Sequence, residues 1–268
     1  MAIEALIFDV DGTLADTEEA HRTAFNLAFE RLRLGWHWGR DDYRQLLRTT
    51  GGKERISAYI ETLPVGATER KRLLERMPEI HAEKTRFYSS TVKDGAVPLR
   101  EGVARLLDEA LSAGLRLAIA STTTAVNVDA LLQSTLGSRG LEMFSVIACG
   151  DQVRAKKPAP DIYQLALHHL GAPVECVVAF EDSENGLRAA AATGLWTVVT
   201  PTFWTEGGDF RCAGLVLPSL GEPERPLAGE PDGQLTLAGW LTLPELSAKA
   251  APAAPADSVR ALYEGLSS

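Results

Sequence analysis

The sequence predicts an α/β protein with a doubly wound parallel sheet and an inserted helical module. From residue 99 onward, short apolar segments alternate with segments whose apolar residues recur at helical spacing. Such alternation is typical of strands and helices that follow one another along the chain. Between residues 17 and 92 the sequence is rich in Arg, Glu, Leu and Ala and contains no convincing strand. We therefore expect a helical insertion there.

The predicted strands are short runs of apolar residues. The first of them, Ala5–Phe8, ends directly before Asp9 and a tight Asp-Gly turn. The others, in chain order, are Leu115–Ala120, Phe144–Ala148, Cys176–Phe180, Trp196–Val199 and an edge strand at Leu215–Leu217. Right-handed crossovers bring the carboxyl ends of parallel strands to one edge of the sheet, where folds of this kind bind ligands.

Periodic apolar residues predict the helices that connect these strands. The predicted helices are Val103–Ala113, Val126–Leu132, Ile162–Leu170 and Asn185–Ala192. Three of them are followed by a glycine that suits a left-handed helix end, and these glycines are Gly114, Gly171 and Gly194. In the inserted module, an amphipathic helix is predicted by the spacing of Ala24, Phe25, Ala28, Phe29 and Leu32.

Composition divides the chain into three parts. We expect a core formed by residues 1–16 and 93–220, and a helical cap formed by residues 17–92. Residues 221–268 form a C-terminal extension rich in Pro, Gly and Ala, with a stretch of low complexity at Ala248–Ala256. We expect this extension to wrap the core in part and to be partly disordered.

The overall charge excludes several classes of function. Lys and Arg total 27 against 36 Asp and Glu, which gives a formal net charge of −9. Nonspecific nucleic-acid binding needs a broad basic surface, so we expect no nucleic-acid partner. No stretch of 18 apolar residues and no basic leader is found, so we expect a cytoplasmic monomer that does not contact membranes. Three widely spaced cysteines predict buried free thiols.

Two aspartates follow the first predicted strand. Asp9 and Asp11 are two positions apart, so both carboxylates can reach one point beyond the edge of the sheet. A carboxylate can attack phosphorus as a covalent nucleophile. A second carboxyl group can protonate the leaving oxygen and then activate water. An Asp-Gly turn with no catalytic role is the ordinary alternative.

Polar residues follow three more predicted strands. Ser121 and Thr122 follow the second strand, Lys157 follows the third, and Glu181-Asp182 follows the fourth. Each alone has an ordinary structural explanation, such as a helix N-cap or an exposed loop lysine. Chance is a poor explanation for four successive strand ends that all carry such groups. The sequence therefore predicts an active site at this edge of the sheet.

The chemistry of these residues suits phosphoryl transfer. Lys157, the Ser121 hydroxyl and backbone amides can stabilise the charge on the equatorial oxygens of the transferring group. Mg²⁺ prefers oxygen ligands in octahedral geometry, and Asp9, Asp182 and a backbone carbonyl can supply them. Such an ion also screens the repulsion between an anionic nucleophile and a phosphate. We therefore expect Mg²⁺ as the cofactor.

The strand-end residues resemble the four motifs of the haloacid-dehalogenase (HAD) superfamily, and the resemblance covers residues 1 to about 220. It implies a HAD-like, Rossmann-like parallel-sheet core with an α-helical cap inserted after the first motif. It also implies that Asp9, the backbone carbonyl of Asp11 and Asp182 bind Mg²⁺. The second aspartate implies a phosphotransferase, because true dehalogenases of the superfamily lack it. The motif residues are Asp9–Thr13, Ser121, Lys157 and Glu181-Asp182.

A closer resemblance, to the CbbY subfamily, includes the cap and extends to segments of the core. The resembling segments are Asp16–Glu18 with His21, Tyr43-Arg44, Thr49–Arg55, Ala155–Tyr163, Glu181–Ser183 and Gly186–Ala190. The resemblance implies a phosphatase that converts xylulose 1,5-bisphosphate to xylulose 5-phosphate and phosphate, and so removes an inhibitor of Rubisco. The catalytic residues expected are Asp9, Asp11, Ser121 and Lys157. The substrate-binding residues expected are Glu18, Tyr43, Arg44, Thr50, Gly51, Gly52, Lys53, Arg55, Lys84, Ser121 and Thr122.

The cap also supports a bisphosphate substrate on physical grounds. Gly51-Gly52 lets backbone amides approach an oxyanion, and Lys53 and Arg55 add positive charge to an acidic chain. A turn followed by a charged helix face is the alternative interpretation. For His21 alone, a structural role is favoured over a catalytic one. Further candidates for the distal phosphate are Arg44, His81 and Lys84.

Two other functions stay open at this point. A hexose-phosphate mutase of the β-phosphoglucomutase type shares the core motifs and a similar cap. In a mutase the aspartyl phosphate must survive until a sugar hydroxyl attacks it, so water must be excluded. A sugar-phosphate sensor or a Rubisco-interacting protein without activity would tolerate the loss of Asp9 or Asp11, yet both are present.

Overall fold

The computed structural model describes residues 2–227 and 239–250. Its sheet has six parallel strands in the order β3-β2-β1-β4-β5-β6, with β1 and β4 in the centre. Leu6 of β1 pairs with Leu117 on one side and with Val178 on the other. The strands are β1 (Ala5–Phe8), β2 (Arg116–Ala120), β3 (Val146–Ala148), β4 (Val177–Glu181), β5 (Trp196–Val199) and β6 (Leu215–Val216).

Helices cover both faces of this sheet and form the cap. Four of them lie between β1 and the next element of the core, namely α1 (Glu18–Arg31), α2 (Arg40–Leu46), α3 (Gly52–Thr62) and α4 (Ala67–Lys93). Five more belong to the remainder of the described chain, namely α5 (Val103–Ser112), α6 (Ala125–Leu136), α7 (Asp161–Leu170), α8 (Glu184–Ala191) and α9 (Leu243–Ala250). The predicted fold class, a parallel-sheet core with an inserted helical cap, is confirmed.

The central strand is buried on both faces. Leu6 and Phe8 belong to one apolar cluster, and Ala5 and Ile7 belong to the cluster on the opposite face, as the alternation of side chains along a strand requires. Phe8 stacks on Phe180 of the neighbouring strand, with ring centroids 4.4 Å apart. Full burial of each large apolar side chain contributes about 1.5–3 kcal/mol. This packing holds the strand end that precedes Asp9 in a fixed place.

The cap has an apolar cluster of its own. Helix α1 buries Phe25 and Phe29 in it, as the predicted spacing requires, while Leu32 lies one residue past the helix. One member, Trp204, comes from the loop after β5 and is only 4% exposed. Its ring meets Tyr43 of α2 edge-on at 5.6 Å between centroids. A core loop therefore reaches into the interior of the cap.

Most predicted element bounds agree with the structure within a few residues. The largest functional difference is at β4, which extends one residue beyond the predicted end and includes Glu181. The three glycines predicted to end helices all have positive φ, namely Gly114 at 79°, Gly171 at 60° and Gly194 at 84°. The predicted limits of core and cap stay a prediction.

Part of the C-terminal extension packs on the core. Leu241 and Leu246 are fully buried, and Nη2 of Arg105 on α5 donates to the carbonyl oxygens of Leu220, Gly221 and Leu241 at 3.3, 3.1 and 2.9 Å. The stretches for which we expect disorder, including most of Ala248–Ala256, lie outside the described residues. Helix α9 thus covers the outer side of α5.

Two simpler expectations can also be compared with the structure. Cys149 and Cys176 are buried free thiols, but Cys212 is exposed, so the prediction of buried cysteines is wrong for Cys212. It lies in the irregular segment before β6, where little packs over it. Across residues 2–227 and 239–250, every helix is too short or too polar to cross a lipid bilayer.

Candidate active site

Asp9 lies at the carboxyl end of β1 in a buried cluster of charges. The Nζ atom of Lys157 donates to Oδ1 of Asp9 and to Oε1 of Glu181, at 2.6 Å in each case. The hydroxyl of Tyr163 also donates to Oε1 of Glu181, at 2.5 Å. The structure therefore brings together residues from the first, third and fourth strand ends, as predicted.

Burial and the neighbouring charges set the protonation of this cluster. Burial raises the pKa of Asp9 to about 8, although the ammonium group of Lys157 lowers it. Burial lowers the pKa of Lys157, but Asp9 and Glu181 outweigh this effect and raise it overall. A nucleophilic carboxylate must be ionised. A cation bound beside Asp9 would favour its ionised form further.

Asp182 follows β4 and supplies the natural place for that cation. It is 3% exposed, and burial, with Asp9 and Glu181 nearby, raises its pKa well above the usual range. Carboxylate oxygens of Asp9, Glu181 and Asp182 lie within 4.8 Å of one another. Oε1 of Glu181 accepts from both Lys157 and Tyr163, whereas Asp9 accepts from Lys157 alone among the described residues, so Asp9 and Asp182 are the better ligands. This donor set of hard oxygens fits Mg²⁺.

Gly12 makes room for Asp182. It has a φ of 83°, and a Cβ there would lie 2.2 Å from Oδ2 of Asp182, so only glycine suits this position. Arg100 donates to the backbone carbonyl of Gly12 and to the carbonyl of Thr200. The turn that carries Asp11 and Gly12 is therefore held by a partly buried guanidinium group.

The side chain of Asp11 is held away from the carboxylate cluster. Its Oδ1 accepts from the Thr17 hydroxyl at 2.6 Å and from Nε2 of His21 at 2.9 Å. Nδ1 of His21 in turn accepts from Nζ of Lys84 at 2.6 Å. Burial opposes ionisation of Asp11, but His21, Thr17 and Lys84 outweigh it and lower its pKa to about 2. Its backbone carbonyl, at the turn beside Asp182, is the more suitable oxygen for a cation.

A cleft between the core and the cap opens above these residues. Its core wall includes Asp9, Asp11, Lys157 and Asp182, together with residues 122–124. Its cap wall includes the predicted residues Glu18, Thr50, Gly51, Gly52, Arg55 and Lys84, and also His81. The predicted nucleophile and most of the predicted cap residues therefore face one cavity. Burial lowers the pKa of Lys84 to about 7.

Tyr43 supports this cavity from behind. Its hydroxyl donates to Oε2 of Glu18 at 2.8 Å and accepts from Nη1 of Arg55 at 3.0 Å. Arg55 also donates to the backbone of Leu46 at 3.3 Å and is 8% exposed. Tyr43 therefore fixes the two charged side chains that line the cavity.

Three predicted residues are engaged elsewhere. Lys53 pairs with Asp151 of the core at 3.4 Å, and Arg44 pairs with Glu206 at 3.3 Å. The hydroxyl of Ser121 accepts from the backbone N–H of Thr123 at 3.2 Å, while Thr122 lines the cavity. Lys53 and Arg44 therefore link the cap to the core at the rim of the cavity.

Sequence reasoning missed several supporting residues. Tyr163 binds Glu181, Thr17 binds Asp11, and Nδ2 of Asn185 donates to Oγ1 of Thr50 at 3.0 Å across the two domains. The aromatic residue Tyr163 and the polar residues Thr17 and Asn185 carry no pattern that indicates these roles. Their partners are defined only by the folded chain.

Comparison with known proteins agrees with this geometry. The haloacid dehalogenase-like hydrolase family matches residues 3–194. Protein CbbY of Rhodobacter capsulatus is 50% identical over 220 residues, which are 82% of this chain and 95% of that protein. A crystal structure of a CbbY variant from Rhodobacter sphaeroides in complex with xylulose-(1,5)bisphosphate is 44% identical with a TM-score of 0.76, covering 90% of this chain and all of that one.

A solved structure with lower sequence identity is that of a putative enzyme with a different activity. The structure of a putative β-phosphoglucomutase from Thermotoga maritima is 28% identical, with a TM-score of 0.56, and the match covers 80% of this chain and 94% of that one.

The fold and the site together define a haloacid dehalogenase-like hydrolase, and the chain belongs to that family. Within the family it is a CbbY-like phosphatase. The predicted family and enzyme class are confirmed.

Proposed function

We propose that the protein is a Mg²⁺-dependent phosphatase that forms a phosphorylated Asp9 and converts xylulose 1,5-bisphosphate to xylulose 5-phosphate and phosphate. The observation that carries this proposal is the buried cluster in which Asp9 lies 2.6 Å from Lys157 and close to Asp182. The similarity to a CbbY variant in complex with xylulose-(1,5)bisphosphate supports the choice of substrate.

In the first step a carboxylate oxygen of Asp9 attacks the phosphorus of the 1-phosphate. A bond from Asp9 to phosphorus forms, and the bond from phosphorus to the sugar oxygen breaks. Lys157 stabilises the negative charge that develops on the phosphoryl oxygens. Asp9, Asp182 and the carbonyl of Asp11 would hold a Mg²⁺ ion, which would supply the remaining positive charge when bound.

Asp11 transfers the protons. It protonates the leaving sugar oxygen, then takes a proton from the water that hydrolyses the phosphorylated Asp9. Hydrogen bonds from Thr17 and His21 keep its carboxylate ionised before substrate binds. An incoming phosphate adds negative charge beside Asp11 and raises its pKa. Asp11 takes up a proton from solvent before the first step and regains one from water in the second, so each turnover leaves its protonation unchanged.

The cap holds the distal phosphate. Gly51 has a φ of 96° and is the N-cap of α3, whose first amide groups and positive helix end favour an anion. Arg55 and Lys84 line the same wall of the cavity. Since Lys157 and the cation hold one phosphate, the cap provides the second anion site that a bisphosphate needs.

Phosphate release across a panel of sugar mono- and bisphosphates tests this proposal. We expect the highest kcat/KM with xylulose 1,5-bisphosphate, and a hydroxylamine-labile phosphoprotein during turnover that Asp9→Asn does not form. Conversion of a hexose 1-phosphate to its 6-phosphate isomer, without release of phosphate, would support the mutase instead.

A further inference from the structure

Asn185 in the first turn of α8 is bonded to the cap loop that precedes α3. Its Nδ2 atom donates to the backbone carbonyl of Arg48 at 3.1 Å and to Oγ1 of Thr50 at 3.0 Å. One amide group therefore uses both of its hydrogens on the cap. Because the donor belongs to the core and the acceptors to the cap, these bonds exist only while the cap lies against the core.

The core end of this contact is fixed close to Asp182. Asn185 follows Asp182 by three positions, and Ser183 between them is the N-cap of α8, whose hydroxyl accepts a backbone N–H of the same helix at 3.2 Å. Glu184 accepts from the backbone N–H of Asp209, in the loop after β5, at 3.1 Å. Asn185 therefore projects from a turn that is held on both sides and that begins directly after Asp182.

The cap end of the contact lies beside the place proposed for the distal phosphate. Thr50 directly precedes Gly51, the N-cap of α3, and both residues line the cavity together with Asn185. A displacement of Thr50 would carry the amide groups of Gly51 and Gly52 with it. The bonds from Asn185 therefore fix the distance between the distal-phosphate loop and the core turn after Asp182.

Two ion pairs also join the cap to the core, but they differ from this contact in their surroundings. In the pair of Lys53 with Asp151 the side chains are 47% and 55% exposed, and in the pair of Arg44 with Glu206 they are 36% and 59% exposed. Ion pairs of this kind contribute little and are screened by salt. Asn185 is half-buried and lines the cavity, so its bonds form where closure of the cap removes water.

We propose that Asn185 is a positioning residue that links the distal-phosphate loop to the core site and so makes the reaction faster on bisphosphates than on monophosphates. The distal phosphate holds the loop at Thr50, and Asn185 fixes that loop to the turn after Asp182. Binding energy at one end of the substrate then lowers the barrier at the other end. This inference rests on the proposed function, because it requires two phosphate sites in one cavity.

The first test compares Asn185→Ala on xylulose 1,5-bisphosphate and on para-nitrophenyl phosphate, a monophosphate with no distal anion. We expect kcat on the bisphosphate to fall about threefold to tenfold, the range for one neutral hydrogen bond, and kcat on the monophosphate to change less than about twofold. KM for the bisphosphate should change less than kcat, because the bonds form when the cap closes over bound substrate. Gln164 on α7 is an exposed amide of the core, and Gln164→Ala should match the wild type on both substrates.

A double-mutant cycle with Thr50→Val shows whether Asn185 acts through Thr50. Valine has the shape of threonine without the hydroxyl, so Asn185→Ala should lower kcat on the bisphosphate by a smaller factor in Thr50→Val than in the wild type. Equal losses of kcat on the two substrates, or independent effects of the two substitutions, would overturn the proposal.

A second variant and the wild-type protein complete the design. If Asn185→Ala does not fold, Asn185→Leu keeps the size of the side chain without a donor and enters the same comparison. Failure of the proposed function is separate, because it would appear in the wild-type protein as a kcat/KM on the bisphosphate no higher than on monophosphates.

Discussion

The Nζ atom of Lys157 lies 2.6 Å from Oδ1 of Asp9, although the two residues stand 148 positions apart in the chain. Both side chains are buried, and loss of Lys157 would leave the Asp9 carboxylate without its cation, whereas loss of the Asp9 charge leaves Lys157 paired with Glu181. The contact orients the Asp9 carboxylate and reduces its negative charge before a phosphate arrives. Substitutions at Asp9 therefore separate chemistry from folding better than substitutions at Lys157.

We expect Asp9→Asn to lower kcat at least about 10³-fold while the protein still folds, because an amide of the same shape cannot attack phosphorus. Steady-state phosphate release measures the loss, and thermal unfolding checks the fold. Asp108 on α5 is exposed, and Asp108→Asn serves as the control with unchanged kcat. Full activity of Asp9→Asn would contradict the mechanism.

We expect activity to disappear in EDTA and to return with Mg²⁺, while Ca²⁺ inhibits because it prefers longer bonds and more ligands. Mg²⁺ should also raise the melting temperature of the wild-type protein, since a ligand that binds only the folded state stabilises it. Asp182→Asn should abolish this rise. Unchanged turnover after thorough metal removal would exclude the assignment of Asp182.

Replacement of Lys53 or Arg55 by alanine should weaken bisphosphate use by about tenfold to a hundredfold in kcat/KM, since a hydrogen bond to a charged group contributes about 1.5–3 kcal/mol. Monophosphates should be affected much less. Arg55 lines the cavity but is also bonded to Tyr43, whereas Lys53 must leave Asp151 to reach a phosphate, so the ratio between the two kinds of substrate decides for each residue. Lys71 on α4 is an exposed lysine of the same cap, and Lys71→Ala should match the wild type. Equal losses on both kinds of substrate would assign Lys53 and Arg55 to the structure of the cap.

The strand ends were predictable because short apolar runs followed by polar residues are local patterns. The sequence predicts β1, the Asp9-Asp11 pair and the position of Lys157 for this reason. The contact between Asn185 and Thr50 spans 135 positions, and no local pattern encodes it. Lys53 illustrates a further limit, because its charge was recognised but its pairing with Asp151 depends on how the cap sits on the core.

The stability of the protein should depend on pH through His81. Its pKa falls from 6.5 to about 4 in the folded protein, so between these values the unfolded chain binds more protons. This contribution is complete above pH 6.5 and is lost as the pH falls toward 4, by at most about 1.4 kcal/mol per pH unit. His81→Gln should flatten the pH dependence of the unfolding free energy in this window. Parallel urea-denaturation profiles for the two proteins would contradict the prediction.

The C-terminal extension should contribute to stability without affecting catalysis. Leu246 is fully buried, whereas Leu27 on α1 is 37% exposed. We expect Leu246→Ala to cost about 2–5 kcal/mol of unfolding free energy and Leu27→Ala less than about 1 kcal/mol. Chemical denaturation measures both. A loss of kcat/KM in folded Leu246→Ala would show that α9 influences the active site.

Trp204 belongs to the core by sequence and to the cap by packing. A substrate must pass between these two bodies to reach Asp9, so they must separate at some point in each turnover. Either the indole then leaves its place beside Tyr43, or the loop after β5 travels with the cap. In the first case the free energy of substrate entry includes the exposure of one tryptophan, whereas in the second the indole stays buried and the loop after β5 acts as the hinge.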